Sequence, residues 1–144
     1  MNRTLIALVF CLFFALSAPA SETKPEELFS RPEHPSLGTL MRDIREHFVR
    51  LVERAYFTGV LIPMQPKDYE DMAGEAREIG KYIGEAETHF SRGPKFDHWA
   101  KELLEHAQKV EKAAGKQELA EVNVEIGEMA EYCAKCHYEF RWKP

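Results

Sequence analysis

Between residues 119 and 140 the apolar side chains recur at steps of 3, 4, 3, 4, 3 and 4: Leu119, Val122, Ile126, Met129, Cys133, Cys136 and Phe140. That spacing draws one stripe along an α-helix, and such a stripe has to be buried against other elements. Two of its members are the cysteines of Cys133-Ala134-Lys135-Cys136-His137. This is C-x-x-C-H, the attachment pattern for c-type haem. Two thiols have to reach the two vinyl groups on one porphyrin edge, and the adjacent imidazole has to reach the iron. Residues three and four apart share one side of a helix, so the three groups project together. The fold must therefore bury this helix and still leave room for a flat, bulky cofactor on its core side.

Two other readings of the motif compete. A structural zinc site needs four Cys or His ligands. The only other cysteine is Cys11, which falls in a segment read below as removed. A thioredoxin-type Cys133–Cys136 pair expects a preceding strand and a βαβ unit. No stretch of the chain sustains the period-2 alternation of a strand.

The chain has 144 residues, which allows one domain. Residues 1–20 read as a cleaved signal peptide. Arg3 supplies the positive start, Leu5 to Leu16 the apolar stretch, and Ala18-Pro19-Ala20 an A-x-A cleavage site. The apolar run is short for a membrane span, although an uncleaved anchor is the competing reading. Export agrees with the haem motif, because haem is attached to c-type cytochromes after the apoprotein crosses the membrane. Both features point to the bacterial periplasm. Residues 21–35, with Pro25, Pro32 and Pro35, read as an extended lead-in, and residues 36–144 as the folded domain. The formal net charge is −5, and becomes −6 without residues 1–20, where Arg3 is the only charged side chain. That argues against nucleic acid and anionic membranes as partners. It suits a basic docking partner, or simply a solvated surface.

Three more helical stripes precede the motif. The first is predicted to start at Ser36, a good N-cap after Pro35, and carries Leu37, Met41, Ile44, Phe48, Leu51 and Ala55 up to a cap at Thr58-Gly59. Residues 60–64 read as a loop. The second opens at Pro66 and carries Tyr69, Met72, Ala76, Ile79, Ile83, Ala86 and Phe90. The third carries Phe96, Trp99, Leu103, Ala107, Val110 and Ala114, and ends at Gly115. Four helices joined by short turns predict an all-α, antiparallel four-helix bundle. Steps near 3.5 predict shallow, left-handed packing, with haem bound near the C-terminal helix.

The ending Cys133-Ala134-Lys135-Cys136-His137-Tyr138-Glu139-Phe140-Arg141 resembles the cytochrome c′ / cytochrome c556 family, which reads C-x-x-C-H-x-x-[FY]-R there. The resemblance implies a four-helix bundle with one covalently attached haem c. Cys133 and Cys136 would form the thioethers and His137 would be the proximal iron ligand. Arg141 would sit near the haem edge, stabilising a propionate and disfavouring protonation of the imidazole. In this family a sixth ligand, when present, comes from the first helix. Cytochromes c′ have an apolar residue there and a five-coordinate iron, and c556-like members have Met. Met41 stands at about the right level to be that distal ligand. Core packing is its other reading. Leu37 stands where the family often has a basic or polar residue.

The implied function is transport of single electrons between periplasmic or membrane-bound redox proteins, without enzymatic turnover. Haem-attachment machinery is a further implied partner. A five-coordinate binder of NO or CO is the alternative. Some relatives dimerise through the first two helices, which leaves a homodimer open. Of the remaining histidines, His47 falls on the flank of the first stripe, and His89, His98 and His106 read as surface residues. Tyr69, Met72, Phe96 and Trp99 are candidate pocket residues or plain core. The Arg-rich outer face of the first helix fits solvent as well as a docking site.

Overall fold

The computed structural model describes residues 34–58 and 61–142. The expected signal segment, Cys11 and most of the lead-in lie outside the described residues, as does Gly59. Helix α1 runs over Leu37–Val52 and widens into a π-type turn at Glu53–Thr58. Helix α2 is Pro66–Phe90, α3 is Pro94–Gly115 and α4 is Leu119–His137, followed by a second π-type turn at Tyr138–Trp142. No strand occurs among the described residues. The four helices pack as the expected all-α bundle, within one body that starts at Pro35.

The helix starts follow from local chemistry. Ser36 Oγ accepts a hydrogen bond from the Thr39 backbone N–H at 3.2 Å, satisfying one of the unpaired donors of α1's first turn. At α2, Pro66 occupies the first turn and the Asp68 carboxylate accepts from the Gln65 N–H at 2.8 Å. Gly93 opens α3 with φ of 101°, a left-handed value that a side chain disfavours. The end of α3 is less expected. Gln117, not a glycine, takes the left-handed position with φ of 60°. Around it Glu118 N–H donates to Ala113 C=O at 3.0 Å and Gln117 N–H to Ala114 C=O at 2.9 Å. This is a Schellman ending with a non-glycine at its strained residue. Gln117→Gly is expected to raise unfolding free energy by about 1 kcal/mol in denaturant titrations.

The core is continuous through the bundle. Leu40, Leu51, Met72, Ile79, Val110, Val122 and Met129 are fully enclosed. Leu40 was not on the stripe read from the sequence, which ran through its neighbour Met41. Helix α1 packs on α2, α2 on α3 and α3 on α4. By contrast, α1 and α4 scarcely touch along their own lengths and meet through the π-type turn after α1. There the Tyr56 hydroxyl donates to the Asn123 carbonyl at 3.2 Å. The bundle is thus closed at this end and parted at the other.

His106 overturns its surface reading. It is buried on α3, 2.5 Å through Nδ1 from the Glu125 carboxylate of α4, with its ring 5.4 Å from that of Tyr132. Its sequence neighbours are polar, but the partner that makes burial tolerable comes from another helix. Removing one member of a buried pair leaves the other without its partner, at roughly 3 kcal/mol or more. Glu125→Ala is therefore expected to lose about that much stability on chemical denaturation. The paired His106→Leu, Glu125→Leu variant should recover most of it.

Candidate functional site

Several side chains that helical spacing assigns to the core are only half-buried: Met41 and Phe48 on α1, Trp99 and Leu103 on α3, Cys133 and Cys136 on α4. All six line one cavity of about 250 Å³ in the part of the bundle where α1 and α4 stand apart. Ile83, Ala86 and Ala100 add to its walls. The alanines matter by being small, since larger residues would fill the space. Beside it lies a wider cleft of about 710 Å³. The two share Met41, Arg45, Phe96, Cys136 and His137, so they are one continuous recess with an apolar interior and an outer mouth.

The motif residues come together as their spacing requires. Cys133, Cys136 and His137 all line the inner cavity, and both cysteines are free thiols. Met41 lines the same cavity from α1 and the outer cleft as well. Arg141 lies in the π-type turn and lines only the outer cleft, together with His137 and Phe140. Phe140 closes this end, its ring edge-on to Phe96 at 5.5 Å and to Trp99 at 5.9 Å.

Burial sets the protonation of the site. It pushes the Cys133 thiol up to about 11, with Cys136 adding a smaller push. Burial also raises the Cys136 thiol, against an opposing pull from Arg92. For His137, burial first and the Arg141 charge second favour the neutral imidazole, the form that can donate a lone pair to a metal.

Other expected residues fall elsewhere. His47 turns away from the recess toward α2, its Nδ1 2.6 Å from the Glu75 carboxylate and its ring 5.6 Å from Tyr82. Phe96 and Trp99 line the recess, whereas Tyr69 and Met72 do not, because the start of α2 lies at the opposite end. Tyr132, Arg42, Arg45 and Arg92 line the recess but were not singled out in the sequence. Arg45 was within reach of that reading, since it follows Met41 by one helical turn.

The recess fits a haem on its own chemistry. Its apolar walls can exclude water, two thiols and an imidazole stand along one side, and arginines border the mouth. Among the described residues, no carboxylate lines either part. Among the described residues no group of three or more Cys, His, Asp or Glu side chains stands together as a metal site. Nor does the βαβ setting of a thioredoxin-type pair occur among them.

Fold and motif together define a helical-bundle c-type cytochrome. The family model described as Cytochrome C' matches residues 84–141, from the end of α2 through the motif to Arg141. Over those residues the chain is similar to the cytochrome c′ family, a likeness that supports a c-type cytochrome and implies haem c. Met41 lies outside the matched stretch. A search of curated proteins found no match.

Proposed function

We propose that this chain is a periplasmic monohaem cytochrome that carries single electrons and has no enzymatic turnover of its own. Cys133 and Cys136 hold haem c, His137 is the proximal iron ligand and Met41 the distal one. One observation carries the reading: Met41 from α1 and His137 from α4 border the same recess, in both its inner and outer parts. The haem, when bound, supplies a one-electron iron couple. The chain supplies the conditions for it. A thioether from Met41 favours the ferrous state. Burial, and after it the Arg141 charge, favour the neutral form of His137. The walls formed by Ile44, Phe48 and Ile83 hold water away from the iron position. Arg45 and Arg141, which line the outer cleft, would pair with propionates. The raised thiols are poor nucleophiles near neutral pH, which is consistent with reliance on dedicated attachment machinery after export.

The second reading is a five-coordinate binder of NO or CO. The apolar wall beside Met41 favours it, since a small uncharged gas partitions into such a space. Optical spectra of the purified ferric and ferrous protein, with and without CO, separate the two. The expected result is a low-spin spectrum with a weak near-infrared Met-to-iron band and little CO binding. A high-spin ferric spectrum with ready CO binding would transfer the assignment to the gas binder.

A further inference from the structure

The chain is acidic overall, yet the mouth of its recess is not. Arg42, Arg45, Arg92 and Arg141 all line the outer cleft, from three different parts of the fold, with no carboxylate among the described lining residues. The other described arginines are engaged with acidic partners. Arg50 pairs with Glu75 at 3.0 Å, Arg54 with Asp68 at 3.1 Å and Asp71 at 3.0 Å, and Arg77 with Glu111 at 2.7 Å. At the mouth, Arg42 among the described residues pairs with its sequence neighbour Asp43 alone, at 3.3 Å and with its side chain 63% exposed. Such a pair is worth little in water. Arg92 Nη1 donates to the Phe140 carbonyl at 3.4 Å, and among the described residues Arg92 has no carboxylate partner. Arg45 and Arg141 are exposed as well.

We propose that this arginine-lined mouth is the docking surface for an acidic face of a redox-partner protein; the proposal rests on the electron-carrier reading above. Two haem propionates at this mouth would offset two of the four positive charges. The remaining charge would leave the mouth with a net positive field, to which the exposed Arg42 and Arg92 contribute. Screening decides whether this local charge or the net charge governs an encounter. At 0.1 M salt the Debye length is about 10 Å, shorter than the bundle, so a partner at the mouth feels the arginines more than distant carboxylates. The net charge of −5 points to a basic partner; the charge at the recess points to an acidic one.

The test is oxidation of the ferrous holoprotein by hexacyanoferrate(III), followed by stopped flow at increasing ionic strength. One electron leaves the iron and hexacyanoferrate(III) becomes hexacyanoferrate(II), with no proton moved. For a trivalent anion meeting a mouth of charge about +2, the rate should fall roughly tenfold between about 10 and 100 mM ionic strength. Arg42→Glu, Arg92→Glu should flatten or reverse that fall while leaving the haem spectrum unchanged. A rate that rises with salt in the unaltered protein, or a salt dependence untouched by the two substitutions, would overturn the docking surface. Electron exchange with hexaammineruthenium cation but not with the anion would also overturn it and spare the carrier reading. Exchange with neither would sink the carrier reading itself.

Discussion

Met41→Leu is expected to abolish the near-infrared band, convert the ferric protein to high spin and open the iron to CO. Leu keeps nearly the volume of Met and removes the sulfur, so stability should change by less than about 1.5 kcal/mol. The potential should fall by at least ~60 mV, a tenfold loss of preference for the ferrous state in a one-electron couple. Met41→Ala should give the same spectrum with a larger loss of stability. The geometry makes the prediction sharp. Met41 is half-buried and borders both parts of the recess, unlike the enclosed Met72 and Met129. The nearest rival on α1, His47, is engaged with Glu75. A low-spin spectrum that survives Met41→Leu would overturn Met41 as ligand and require a nitrogen donor.

Sequence periodicity located the helices well because each start carries its own local chemistry: Ser36 as cap, Pro66 in a first turn, and Gly93 at a left-handed position. The motif was legible for a similar reason, since its three groups lie within one helical turn. What the sequence hid depends on contacts between helices. The stripe through Met41 and Phe48 marks the apolar side of α1 and leaves Met41 open to iron ligation or core packing; α1 and α4 part at that end, so both residues face a recess. Leu40, one position away, takes the enclosed place. Polar neighbours made His106 look exposed, and only the Glu125 side chain of α4 makes its burial tolerable. The arginines of α1 formed one undifferentiated polar face in the sequence. In the fold they divide into Arg50 and Arg54, spent on carboxylates of α2, and Arg42 and Arg45 at the mouth. Periodicity tells which side of a helix is apolar; it does not tell how far the neighbouring helix stands away.

Cys133→Ala, Cys136→Ala is expected to yield a chain without covalent haem and with most of its cooperative unfolding lost. The recess lies where the bundle would otherwise be packed, and its inner part measures about 250 Å³. Enclosed cavities in a protein interior cost about 24 cal/mol per Å³, so roughly 6 kcal/mol is the ceiling for a recess of this size, lowered by its open mouth. A small domain has only about 5–15 kcal/mol of net stability, so the loss can consume most of it. Partial collapse of α1 onto α4 would reduce the cost. The half-buried Phe48, Trp99 and Leu103 are the side chains able to move inward. The predicted variant retains much of its helical circular dichroism, loses near-ultraviolet signal from Trp99 and Tyr132, and binds hydrophobic dyes. Mass spectrometry checks the chemistry, and a denaturant titration checks the energetics. Retention of a sharp transition within about 1 kcal/mol of the haem-bearing protein would show that the bundle does not depend on the group it carries. The recess would then be a plastic gap between α1 and α4 and not a cavity held open by rigid walls.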